Sequence, residues 1–107
     1  MKRWTLLAFF CSTALAQQYE VYAIRYAVLP QFPVSELVAG DKSDRKLDIA
    51  MMVWLIRGGG KNILFDAGFY RPQFFKSWTV QDFARPDEAV AQAGVKPDEI
   101  TLSLIHI

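Results

Sequence analysis

Cysteine and histidine are nearly absent from this chain. Its 107 residues hold one of each, Cys11 and His106. With a single thiol, no internal disulfide can form and no cysteine-based metal site can be assembled. An excess of charge of either sign is lacking as well, since 12 basic residues face 11 acidic ones. Nothing in that balance points to a nucleic-acid partner or to a polybasic contact with a membrane surface. The apolar run Trp4 to Leu15 falls short of the ~20 residues a membrane-spanning helix needs.

That run has a different use. Lys2 and Arg3 precede it, and Ala14-Leu15-Ala16 follows it with the small-x-small pattern that signal peptidase accepts. Residues 1–16 are therefore read as a secretory signal peptide cleaved after Ala16. The alternative is a buried N-terminal helix, but charge, apolar core and cleavage site stand in the order a signal requires. A lipoprotein anchor on Cys11 is disfavoured by Phe9 and Phe10, where small residues would be wanted. The expected location is exported, periplasmic or secreted. Cleavage removes Lys2, Arg3 and Cys11, so ten basic residues remain against 11 acidic ones and the thiol is gone. Such a chain suits an oxidising compartment and keeps no membrane contact.

Residues 17–107 are rich in Phe, Trp and Tyr for their length. A domain this small buries only about 60% of the surface its unfolded chain exposes. A wide hydrophobic face is thus expected to stay uncovered, as in part of a larger domain.

The stretch with most structure is Asp48 to Tyr70. Ile49 to Ile56 is a nearly unbroken apolar run of strand length, which fits a strand covered on both faces. Gly58-Gly59-Gly60 supplies the positive φ that a tight reversal needs, and Asn62 to Phe65 reads as the return strand. A phosphate loop is excluded, because the glycines lack the Gly-Lys-Ser/Thr spacing and no helical pattern follows Lys61. Upstream, Tyr19 to Leu29 reads as an opening strand closed by Pro30, and residues 31–47 as a long loop with a solvated charge run.

Downstream, Asp66-Ala67-Gly68 closes the return strand. Asp66 can accept backbone N–H bonds and fix the next loop, and Gly68 can take positive φ. From the residues alone Asp66 is a turn-former or a site residue. Phe69 to Phe83 is a loop-like stretch dense in aromatics, read as packing over the sheet edge or as the wall of an apolar substrate pocket. Pro86 to Gly94 has proline at its first turn, acids near its start and glycine at its stop, which predicts a short helix. Ile100 begins a further strand.

This order of pieces resembles the N-terminal part of the metallo-β-lactamase-fold hydrolases. The resemblance covers roughly Tyr19 to Thr101, and its best markers are Ile63-Leu64-Phe65-Asp66-Ala67-Gly68 and, downstream, Gly94-Val95-Lys96-Pro97-Asp98-Glu99-Ile100. The lactonase-like branch is the nearest subgroup. The implied fold is α/β, the N-terminal part of an αββα sandwich: strand, long loop, β-hairpin, aromatic loop, short helix and the start of the next strand. In the complete family domain two mixed sheets pack face to face, and one or two zinc ions activate water against a small-molecule substrate such as a lactone or ester.

The family's ligands come from a His-x-His-x-Asp-His segment after the strand that Ile100 begins. This chain has no such segment, and His106 falls one place before the first ligand position. No catalytic, metal or cofactor-binding residue is therefore assigned, and no cofactor is expected on this chain by itself. The resemblance carries over Asp66, whose counterpart shapes the metal-binding loop from behind the ligands, together with the structural Gly68. Ala67 stands where the family often has threonine. Residues 102–107 match the translation of a transposase adapter used in preparing sequencing libraries, so the natural sequence is expected to depart from this one after Thr101. The alternative is a genuine short C-terminal strand, since Leu102-Ser103-Leu104-Ile105 is a plausible β sequence. Two other classes remain: a small secreted β-rich binding module with an aromatic contact loop, and a non-hydrolytic member of the same fold. The sequence sets no oligomeric state.

Overall fold

A computed structural model describes residues 17–105. The signal-peptide reading of residues 1–16, Cys11 and His106 lie outside them. Four strands form one mixed sheet: β1 (Glu20–Pro33), β2 (Lys46–Gly58), β3 (Lys61–Phe65) and β4 (Leu102–Leu104), in the spatial order β1-β2-β3-β4. The first two pairings are antiparallel and β3–β4 is parallel. Between β3 and β4 run the helices α1 (Pro72–Ser77) and α2 (Pro86–Gln92), then a 3-10 turn at Pro97–Glu99. The described residues thus form a small mixed α/β domain. No helix among them is long and apolar enough to cross a membrane.

The hairpin closes where the glycines predict. Gly58 pairs with Lys61, leaving Gly59 and Gly60 as a two-residue loop with φ of +56° and +71°. Positive φ at both central positions gives the turn a twist that matches the flanking strands.

β1 runs past Pro30, contrary to expectation, and ends at Pro33. Val28 exchanges backbone hydrogen bonds of 2.8 Å with Gln81, on the side away from β2. Pro30, two residues on, faces the same outward side, so its missing donor costs no bond to β2. The register then shifts between Leu29 and Phe32, where Gln31 takes φ of +53° and donates its N–H to Asp48 Oδ1 at 2.9 Å.

The stretch Phe69 to Phe83 also differs from a loop, since residues 72–77 close a short helix. Pro72 opens it and the Trp78 N–H caps it on the Phe74 carbonyl at 3.0 Å. Six residues are too few to show an apolar period, which is why the sequence conceals it.

Among the described residues β2 is covered on one face, where the sequence suggested two. Val53 and Leu55 have no exposure, whereas Trp54 between them is 40% exposed. α1 and α2 lie on the Val53–Leu55 side. Phe69 is the hub there, with ring centroids 5.6 Å from Tyr26, 5.0 Å from Phe74 and 5.7 Å from Trp78. Ala89 and Val90 of α2, with Val95, complete the core. Phe69, Phe74, Trp78 and Phe83 of the aromatic stretch are packing, while Tyr70 is 66% exposed.

Among the described residues nothing packs on the opposite face. Strand pairing aligns Val21, Ile56, Ile63 and Leu102 in one cross-strand row. Ala23, Trp54, Phe65 and Leu104 form the next. Side chains alternate along strands, so both rows share the Trp54 face.

Candidate functional site

Because β3 and β4 are parallel, their C-terminal ends lie side by side. In open α/β sheets that edge is where ligands bind. The chain leaves β3 at Asp66, whose N–H donates to the Leu104 carbonyl at 2.7 Å. Whatever follows β4 therefore starts beside Asp66.

The Asp66-Ala67-Gly68 turn is built by its own residues. Asp66 takes φ of +63°, a conformation aspartate tolerates better than most side chains. Its Oδ1 accepts the Gly68 N–H at 3.0 Å, closing a turn on the side chain. Gly68 has φ of +65°, and a Cβ there would stand 2.7 Å from Pro86 Cγ and 3.0 Å from Tyr26 Cζ. The turn backbone rests against those two side chains, and nothing larger than glycine fits between them.

Tyr26 is the residue the sequence did not flag. Its place on β1 gave no sign of long-range company, yet it is 2% exposed and lies under the turn. Burial pushes its phenol up to about 12, the nearby negative charge of Asp66 adds to that, and a backbone hydrogen bond with Phe69 works the other way.

Beside the turn, a cleft of about 400 Å³ opens between α2 and β3. Leu64, Ala67, Val90 and Ile100 supply apolar wall, and Tyr70, Arg85 and Asp87 add polar groups. The latter are already engaged with each other. Arg85 donates from Nε and Nη2 to the two Asp87 oxygens at 3.0 and 2.8 Å, and its guanidinium lies 5.8 Å from the Tyr70 ring centre. The hydrogen bonds from Arg85 hold the Asp87 carboxyl below the usual range, and Asp87 holds Arg85 above its own. The cleft offers shape and apolar surface, with no unpaired charge among these groups.

Zinc does not fit these residues. No three His, Cys, Asp or Glu side chains gather to hold a metal among the described residues, which include no histidine. The Asp66 carboxylate already serves its own turn. Asp66 and Gly68 thus come together as one structural unit without a ligand set around them.

Compared with family models, with curated proteins and with solved structures, the chain matches none.

Proposed function

We propose that this chain forms the first sheet, with its covering helices, of an exported metal-dependent hydrolase of the metallo-β-lactamase type, acting on lactones or related esters. The observation that carries this is the Asp66 turn at the C-terminal end of β3, with Thr101 hydrogen-bonded alongside that strand at Asn62. A strand that ends in a side-chain-locked turn, with the next segment entering beside it at Thr101, is a platform along which a ligand-bearing segment would be held in place. The described residues supply the platform and not the chemistry, so the 107-residue chain is expected to bind no zinc tightly and to hydrolyse no lactone.

The source nucleotides after the Thr101 codon test this most directly. The reading requires that they lead into His-x-His-x-Asp-His and that codons 102–107 match the adapter. A genuine stop codon after Ile107 would sink it, as would tight stoichiometric zinc binding by the chain itself. A binding module built on the aromatic loop draws less support, because Phe69, Phe74, Trp78 and Phe83 pack toward the core.

A further inference from the structure

The hairpin turn carries a second segment of chain. A Cβ at Gly58 would stand 2.6 Å from Tyr19 Cδ1, and one at Gly59 would stand 2.6 Å from Gln17 Cδ, with Nε2 nearer still. Both glycines thus serve packing as well as turning, because they leave a bare seat on which residues 17–19 lie. On that seat the Tyr19 hydroxyl donates to Gln17 Oε1 at 3.0 Å. Arg57 and Lys61 border the hollow beside Gln18, and Glu20, also there, accepts the Tyr22 hydroxyl at 2.6 Å.

We propose that Gln17 is a modification site, closed to pyroglutamate on its seat once signal peptidase cuts after Ala16. The cut gives Gln17 a free α-amine. In its uncharged form that amine attacks Cδ of its own side chain. A new N–Cδ bond closes the lactam ring and the Cδ–Nε2 bond breaks. One amine proton passes to the leaving nitrogen, which departs as ammonia, so no oxidant or co-reactant is consumed. The seat favours this step. The Tyr19 hydroxyl donates to the oxygen that carries negative charge in the tetrahedral intermediate. Arg57 and Lys61 disfavour an added ammonium nearby, which raises the share of reactive neutral amine and favours a neutral product. The lactam keeps the carbonyl oxygen that Tyr19 holds and gives up Nε2, the atom a Gly59 Cβ would meet first. Closure removes the terminal charge of the mature chain. The inference rests on cleavage after Ala16 and not on the hydrolase chemistry.

Intact mass and stepwise N-terminal sequencing of the exported product, made from the full 107-residue precursor, test it. The expected product is residues 17–107 less one ammonia, blocked to sequencing until pyroglutamyl aminopeptidase exposes Gln18. Gln17→Ala should give a product that sequences directly. Tyr19→Phe keeps the ring on Gly58 and should close about fivefold more slowly, the effect of one lost hydrogen bond, when freshly exported product is followed by mass. A product that starts at Gln17 and keeps its ammonia through prolonged incubation at neutral pH overturns the proposal and leaves export standing. A product that starts elsewhere, or retains residues 1–16, overturns it together with the cleavage reading. Closure of Tyr19→Phe at the parent's rate overturns the part assigned to the seat.

Discussion

Thr101 and Asn62 hold each other by three hydrogen bonds. The Thr101 N–H and hydroxyl both donate to the Asn62 carbonyl, at 2.9 and 3.0 Å, and the Asn62 N–H donates to Thr101 Oγ1 at 3.1 Å. The Asn62 side chain adds a fourth bond, from Nδ2 to the Glu99 carbonyl at 3.1 Å. These bonds lie just ahead of β4 and set its parallel register on β3.

Removing that clamp should loosen β4 before anything else. Thr101→Val is expected to cost about 1–2 kcal/mol, the net worth of the lost hydroxyl bonds. Urea unfolding measures the loss, and hydrogen exchange should show faster amides in β3 and β4 than in β1 and β2. Uniform acceleration across all strands would argue against a local clamp.

Gly68→Ala should be among the costliest small substitutions. The added Cβ meets Pro86 at 2.7 Å and is forced into a left-handed conformation, so about 2–4 kcal/mol is expected from strain and crowding together. Asp66→Asn keeps both the tolerance for positive φ and an acceptor oxygen, and should change stability by less than about 0.5 kcal/mol. The two midpoints, compared in one denaturant series, check whether steric fit or carboxylate charge makes the turn.

Alkaline titration should expose Tyr26. Its phenol is raised from 10.0 to about 12 in the folded state, so its contribution is complete below pH 10 and disappears as the pH rises through 12. Summed over that interval the loss is about 2–3 kcal/mol. Tyr26→Phe removes this group from the linkage, and its unfolding free energy should fall less steeply over that interval. An unchanged slope in the variant would show that the loss comes from other groups.

One-sided coverage of β2 predicts an asymmetry between neighbours in sequence. Leu55→Ala empties a fully buried site and should cost about 2–5 kcal/mol. Ile56→Ala, on the open face, should cost less than half of that. Equal costs would mean that both faces are buried.

How much of this was legible beforehand differs from element to element. The Gly58-Gly59-Gly60 reversal and α2 were readable, because each depends on the conformational limits of a few adjacent residues. The Asp66 turn was half legible: its turn chemistry follows from the residue types, but its contact with Tyr26 and Pro86 does not. α1 went unread because Pro72 was masked by the surrounding aromatics and six residues show no period. The end of β1 was misplaced because proline forbids only a bond toward a neighbour, and which side carries the neighbour is not written locally.

The sequence by itself determined a short apolar hairpin, a turn with a carboxylate at its corner, a capped helix and too little polar surface to cover them. Those features come from backbone sterics and composition, which act over a few residues. Only the tertiary structure decided which face of β2 is buried, that β4 joins β3 in parallel, and that Tyr26 lies beneath Gly68. An apolar run such as Ile49 to Ile56 carries the same side chains on both faces. Its burial is settled by where the long α1–α2 connection lands, and that connection covers one face alone.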